Sequence, residues 1–156
     1  MNVAVANATS SKTIGFANSG FWGFDVRKQK YKGSFYVKGD YNGSFTASFQ
    51  SALTNKTFGS VKIKSKSKSD EWVQHHFTLV PMTNAPNGNN TFSLTFDTAG
   101  VNGGSLDFNL ISLFPPTYKG RENGLRVELA EAFKALSPVR FILSPVIARS
   151  QADLTR

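Results

Sequence analysis

Ser105-Leu-Asp-Phe-Asn-Leu-Ile-Ser-Leu-Phe-Pro-Pro-Thr-Tyr118 is where the chain changes regime. Leu106, Phe108 and Leu110 alternate with polar neighbours and so share one face of an extended segment, with Ile111 and Leu113 continuing the apolar run. Pro115-Pro116 ends it, because proline has no N–H to give to a ladder. A polar turn follows, and Gly124-Leu-Arg-Val-Glu-Leu-Ala-Glu-Ala-Phe-Lys-Ala-Leu136 then takes up helical spacing. Leu125, Leu129, Ala132, Phe133 and Leu136 fall on one side, and Glu128, Glu131 and Lys134 fall elsewhere. Strands are expected before this junction and a helix after it.

Upstream, Phe92, Leu94 and Phe96 alternate with Thr91, Ser93, Thr95 and Asp97, and the Gly/Asn loop 98–104 is expected to lead into the stretch above as a hairpin. Residues 72–80 form another strand, with Val73, Phe77 and Leu79 on one face. The cleanest pattern is Phe45, Ala47 and Phe49 inward with Ser44, Thr46, Ser48 and Gln50 outward, the period of a sheet with one wet face. Val61 and Ile63 resume it after a parity slip at Gly59-Ser60, which predicts a bulge. Residues 31–38 place Phe35 and Val37 on one side, Tyr36 and Lys38 on the other, and Val3 and Val5 fit an edge strand. Turn clusters such as Gly39-Asp-Tyr-Asn-Gly43 and Pro86-Asn-Gly88 separate these short runs. The pattern describes an all-β, antiparallel, jelly-roll-like sandwich followed by one C-terminal α-helix.

Composition sets bounds on function. The chain has 156 residues, enough for one domain with a real core, and 14 phenylalanines to fill it. With no cysteine there is no disulfide framework, thiolate metal site or cysteine nucleophile. No stretch approaches the roughly 20 apolar residues that span a bilayer, so no membrane partner is expected. Met1-Asn-Val-Ala-Val-Ala-Asn7 lacks the charged start and apolar core of a signal peptide. Asn7, Asn42, Asn55 and Asn89 each open a glycosylation acceptor pattern.

The net charge of +8 raises the question of a polyanion partner. Lys62, Lys64, Lys66 and Lys68 alternate with small or apolar residues and project from one side of an extended segment. Such a row protects a sheet edge from pairing with another chain. A phosphate footprint is the alternative, but no arginine fork or nucleic-acid motif accompanies the lysines, and no nucleic-acid partner is expected.

Candidate chemistry is sparse. His75 and His76 are adjacent on a strand, so they point to opposite faces and cannot share one ion; no metal site and no cofactor are expected. Asp97 and Asp107 flank the expected hairpin and could approach one another, but no cleft signature accompanies them. No catalytic residue is assigned.

A resemblance becomes specific over residues 105–132. The stretch Ser105 to Tyr118 with Lys119-Gly-Arg121, then Asn123-Gly-Leu-Arg126 and Leu129-Ala-Glu-Ala132, resembles the fungal-type family-51 glycoside hydrolases, the α-L-arabinofuranosidases. Gly15-Phe-Ala-Asn-Ser-Gly-Phe-Trp-Gly23, Tyr31-Lys-Gly-Ser-Phe-Tyr-Val-Lys-Gly39 and Glu71-Trp-Val-Gln-His75 are similar to the same family. The resemblance covers about residues 1–138.

It implies a galactose-binding-like sandwich over 1–118 and a linker with the first helix of a (β/α)8 catalytic barrel over 119–138; residues 139–156, where the resemblance is lost, are expected to be a divergent, disordered tail. The family hydrolyses terminal arabinofuranosyl groups of plant cell-wall arabinan and arabinoxylan with retention, outside the cell. Its catalytic glutamates lie on later barrel strands, so this segment is expected to be an inactive fragment. After Leu136-Ser-Pro138 the family continues into a Phe-Leu-Arg-Phe-Pro-Gly-Gly strand, whereas here Val139-Arg-Phe-Ile-Leu-Ser-Pro-Val-Ile147 follows. A truncated product, with its tail read from an intron or shifted frame and its start also cut short, is the expectation.

The alternative is a carbohydrate-binding module without catalysis. Sugar C–H faces stack on flat rings, and Trp22, Tyr36, Tyr41 and Trp72 are the candidates, since amphipathic rings tolerate half-exposed positions. For each of them a place in the core is the competing reading.

Overall fold

The computed structural model describes residues 1–5, 12–102, 104–121 and 124–136. The expected tail, residues 139–156, and the acceptor Asn7 lie outside the described residues. The chain divides into two units, Met1–Pro116 and Thr117–Arg156.

The first unit holds eight strands: β1 (Asn2–Ala4), β2 (Thr13–Asn18), β3 (Tyr31–Lys38), β4 (Ser44–Ser51), β5 (Thr57–Lys64), β6 (Val73–Leu79), β7 (Asn90–Asp97) and β8 (Ser105–Phe114). They form two antiparallel four-stranded sheets, ordered β1-β8-β3-β6 and β2-β7-β4-β5. The inward residues read from the alternation are the buried ones. Phe35, Val37, Phe77, Leu79, Leu106 and Phe108 of the first sheet meet Phe45, Ala47, Phe49, Phe92, Leu94 and Phe96 of the second. Edge-to-face rings lock the two layers, with Phe45 centred 5.2 Å from Phe35 and 5.8 Å from Phe108. Val3 of β1 packs partly on this core from a sheet edge.

Three local features depart from simple alternation. Just before the slip predicted at Gly59-Ser60, Phe49 pairs with Gly59 and Gln50 with Thr57, so Phe58 is the extra residue of a bulge and both Phe58 and Gly59 are buried. A second bulge in β8 was not expected. Ser34 pairs with Ser112 and Tyr36 with Asn109, which leaves Leu110 and Ile111 together opposite Phe35. Leu110 takes a left-handed φ of 48° and is 69 % exposed, contrary to its expected place beside Leu106 and Phe108. That conformation costs a non-glycine residue about 1 kcal/mol, and it returns Ile111 and Leu113 to the core side. Ser48, read as outward, is buried opposite Ser93 in the middle of its sheet.

The expected hairpin between β7 and β8 does not form. β7 pairs with β2 and β4, while β8 pairs with β1 and β3 in the other sheet, and a short 3₁₀ turn at Thr98–Gly100 lies in the crossing. Asp97 and Asp107 therefore sit on different sheets. β5 is the edge of its sheet, and Lys62 and Lys64 on it, with Lys66 and Lys68 beyond, are all exposed, as edge protection requires.

His75 is the one buried histidine, 3 % exposed and stacked on Phe35 with ring centroids 5.1 Å apart. The Lys66 backbone N–H donates to its Nε2 at 2.9 Å, so Nε2 carries no proton and Nδ1–H donates to the Val73 carbonyl at 3.1 Å. Burial pushes its pKa below the ordinary 6.5, helped by the charges of Lys66 and His76 and opposed by the Val73 carbonyl. A depressed histidine binds its proton more readily in the unfolded chain. Its contribution is complete above about pH 6.5 and is lost as pH falls towards the folded-state value. The melting midpoint is expected to drop between pH 7.5 and 5, and His75→Phe to flatten that slope. An unchanged slope in the variant would assign it to other groups.

In the second unit, α1 (Val127–Ala135) is shorter than the periodicity suggests. Leu125, Leu129, Phe133 and Leu136 are exposed. Arg126 forms an exposed ion pair with Glu128, and the Tyr118 N–H donates to the Leu125 carbonyl across a one-pair bridge of Thr117 with Arg126.

Candidate carbohydrate-binding face

The outer side of the β1-β8-β3-β6 sheet is built by the residues that alternation turns away from the core. Tyr36 lies in the middle, half-buried, with Gln74 of β6 opposite it on one side and Asn109 of β8 on the other. One step along, Ser34 stands between His76 and Ser112, and the two serine hydroxyls are 3.0 Å apart. One step further, Lys32 stands between Thr78 and Phe114. In the other direction Lys38 pairs with Asp107, whose carboxylate accepts from the Asn2 amide at 2.7 Å. A shallow depression lined by Lys32, Gly33, His76, Phe77 and Thr78 opens beside this row.

The side chains around Tyr36 have bonding capacity to spare. Among the described residues the Tyr36 hydroxyl, the Gln74 amide and the His76 ring make no hydrogen bond within the protein. Asn109 is exposed and uses its Oδ1 to accept from the Leu110 N–H at 2.9 Å, which leaves its NH₂ group available. Such an arrangement, a flat ring between two amides, can stack a sugar ring and bond its hydroxyls.

The four candidate rings separate into three environments. Trp72 is 44 % exposed and stands one residue before β6. Tyr41 is only 4 % exposed and belongs to the core, which corrects its candidacy. Its hydroxyl donates to the Ser44 carbonyl at 3.1 Å and accepts from the Asp97 N–H at 3.3 Å, with its ring centred 4.9 Å from Phe45. Burial first, and the Asp97 charge with it, raises its pKa above 10.

Trp22 is 89 % exposed and pairs edge-to-face with Phe21, itself 92 % exposed, on the loop between β2 and β3. Gly20 and Gly23, at φ of 70° and 83°, frame this tip, and a Cβ at Gly23 would run into the Gly88 carbonyl. The Phe24 N–H donates to that carbonyl, and the buried Asn90 amide donates to the Phe24 and Asn87 carbonyls. The tip adjoins the Tyr31 end of β3, whereas Trp72 adjoins the Val37 end, roughly 20 Å away at about 3.3 Å per residue. Trp22 and Tyr36 do not form one site.

Gln74, Asn109, His76 and Phe21 were not singled out from sequence. Outward parity on β6 marks Gln74 and His76, but Asn109 comes beside Tyr36 only through the strand order. Asn42, Asn55 and Asn89 of the glycosylation patterns are all exposed. Asp97 accepts from the Ala99 N–H at the end of β7, and no three His, Asp or Glu side chains cluster as metal ligands among the described residues. No described helix is long and apolar enough to cross a membrane.

No protein-family model matches the chain. Proteins carrying the name probable α-L-arabinofuranosidase A from Aspergillus terreus and Emericella nidulans are each 37 % identical to it, over 79 % and 94 % of this chain and 19 % and 26 % of their own lengths. α-L-Arabinofuranosidase A of Aspergillus kawachii is 39 % identical over 75 % of this chain and 18 % of its own. An arabinose-bound family-51 α-L-arabinofuranosidase superposes with a TM-score of 0.70 at 32 % identity, covering 87 % of this chain and 24 % of that one. The chain thus spans about a fifth to a quarter of the length of these relatives. Over that span it belongs to the fungal-type family-51 α-L-arabinofuranosidases.

Proposed function

We propose that this chain is the non-catalytic β-sandwich portion of a secreted, retaining α-L-arabinofuranosidase that removes terminal arabinofuranosyl groups from plant arabinan and arabinoxylan. The observation that carries the reading is the TM-score of 0.70 with an arabinofuranosidase over 87 % of the chain. Residues 119–138 are the linker and first helix of the catalytic barrel in this reading, and residues 139–156 are a divergent tail. A retaining mechanism needs two carboxyl groups about 5–5.5 Å apart across the sugar. The candidate pair of the sandwich does not supply them, since Asp97 and Asp107 are on different sheets and each is engaged locally.

Two assays test this together. The chain alone is expected to release no arabinose from a chromogenic arabinofuranoside, while the same segment within a full-length arabinofuranosidase does. Turnover by the isolated chain would overturn the non-catalytic assignment. A second reading, carbohydrate binding by the sandwich itself, is favoured by the Tyr36 face, where the Gln74 amide and the Asn109 NH₂ group remain available to a ligand.

A further inference from the structure

The geometry points to the outer face of β8-β3-β6 as a binding platform for an extended, uncharged glycan chain that crosses the strands with one sugar stacked on Tyr36. This rests on the carbohydrate-binding reading above and adds the site, the ligand class and the direction of the chain.

Direction follows from the register. Asn109, Tyr36 and Gln74 form a single row perpendicular to the strands, each on a different strand. At about 4.8 Å between neighbouring strands, the two amides are about 10 Å apart with the ring between them. That is the footprint of two sugar rings, one on Tyr36 and one offset towards an amide. Ser34, Ser112 and His76 form a parallel second row on which hydroxyls of the same chain can bond.

Ligand charge follows from composition. The row of Tyr36 and the row of Ser34 hold no carboxylate and no lysine, and Lys32 and Lys38 enter only on the rows beyond. Asp107, the carboxylate paired across from Lys38, is held by Asn2. The middle of the platform therefore holds no carboxylate, lysine or arginine, with His76 as its one basic side chain, and is hydroxyl- and amide-rich, matched to a sugar chain rather than to a phosphate or uronate polymer.

The opposite outer face lacks this arrangement. Its central rows are Thr95 with Thr46 and Ser93 with Ser48, flanked by Gly15 and Ala17 of β2, and carry no ring. Preorganisation also favours Tyr36. Its backbone is held in ladders on both sides, so the position of the residue is set before binding, whereas Trp22 projects from a loop tip.

The test uses the chain as it is, in affinity electrophoresis and in retention on insoluble arabinoxylan. Retention is expected, with Tyr36→Ala weakening it by about tenfold or more and Tyr36→Phe keeping most of it. Gln74→Ala combined with Asn109→Ala is expected to weaken it comparably, and carries the test if Tyr36→Ala does not fold. Trp22→Ala is expected to bind as the parent does. Loss of binding in Trp22→Ala with none in the Tyr36 and amide variants overturns the site. Binding that collapses at high salt overturns the neutral-ligand assignment in favour of the lysine row. No retention at all, alongside an active full-length enzyme, overturns the platform and leaves the family function standing.

Discussion

Phe45→Ala is expected to destabilise the sandwich by about 3–5 kcal/mol, measured by urea unfolding followed through tryptophan emission. Phe45 is fully buried at the point where both sheets converge, and its ring contacts Phe35, Tyr41, His75, Phe96 and Phe108. Truncation leaves a cavity lined mainly by rings, which are stiff and close poorly around a void. A domain of this size is stable by about 5–15 kcal/mol in all, so the variant should approach the edge of folding. Because Phe96 lies in the same cluster, Phe96→Ala should add less in the Phe45→Ala background than alone. A loss below about 1 kcal/mol would mean that Phe45 does not sit at this junction.

The second large effect is expected at Asn90. Its amide donates to the Phe24 and Asn87 carbonyls, and the residue is 1 % exposed. Asn90→Ala strands two carbonyls at roughly 1–3 kcal/mol each, offset in part by removal of the buried Oδ1, which has no hydrogen-bond partner among the described residues, so about 2–4 kcal/mol is expected overall. The loss has a local signature, because those carbonyls hold the base of the Phe21–Trp22 loop. Hydrogen exchange at Phe24, whose N–H is bonded to Gly88, should accelerate well before the strands open. Stability within about 0.5 kcal/mol of the parent would show that water replaces the amide without cost.

The two kinds of residue behave differently under sequence reading. Phe45, Phe49, Phe92 and Leu94 alternate with polar partners, and period two is a local property, so the residue order alone gives their inward direction. The fold class follows from them, and so does the slip at Gly59-Ser60. Pairing is not local. Residues 90–97 and 105–114 are separated by a short Gly/Asn loop, which suits a hairpin, yet each strand gains more by joining a different sheet. The bulge at Leu110 is hidden for a related reason. An apolar run of Leu110-Ile111 fits either parity, and only the register against β3 decides which residue is expelled.

The same limit shapes the candidate site. Tyr36 can be placed on an outward face because it follows Phe35 and precedes Val37. Its neighbours Gln74 and Asn109 come from strands 38 and 73 positions away, and strand order alone puts them on its row. Tyr41 misleads for the opposite reason. A tyrosine in a Gly-Asp-Tyr-Asn-Gly turn looks wet, but its hydroxyl finds Ser44 and Asp97 and the ring goes inside.

The pairing of β1 with β8 has a mechanical meaning. Asn2 lies opposite Asp107 and Ala4 opposite Ser105, so Met1 and the Phe114 end of β8 leave the ladder in the same direction. A tensile load applied through Met1 and Pro116 would open that ladder as a zipper, one pair after another, instead of shearing all pairs at once. Three pairs resist it, together with the bonds of Met1 to Phe108, of the Asn2 amide to Asp107 and of the Val5 N–H to the Gly104 carbonyl. A sandwich held in this way gives way first along that line, where the opening segment carries only Val3 and Val5 off the margin of the eighteen-residue core.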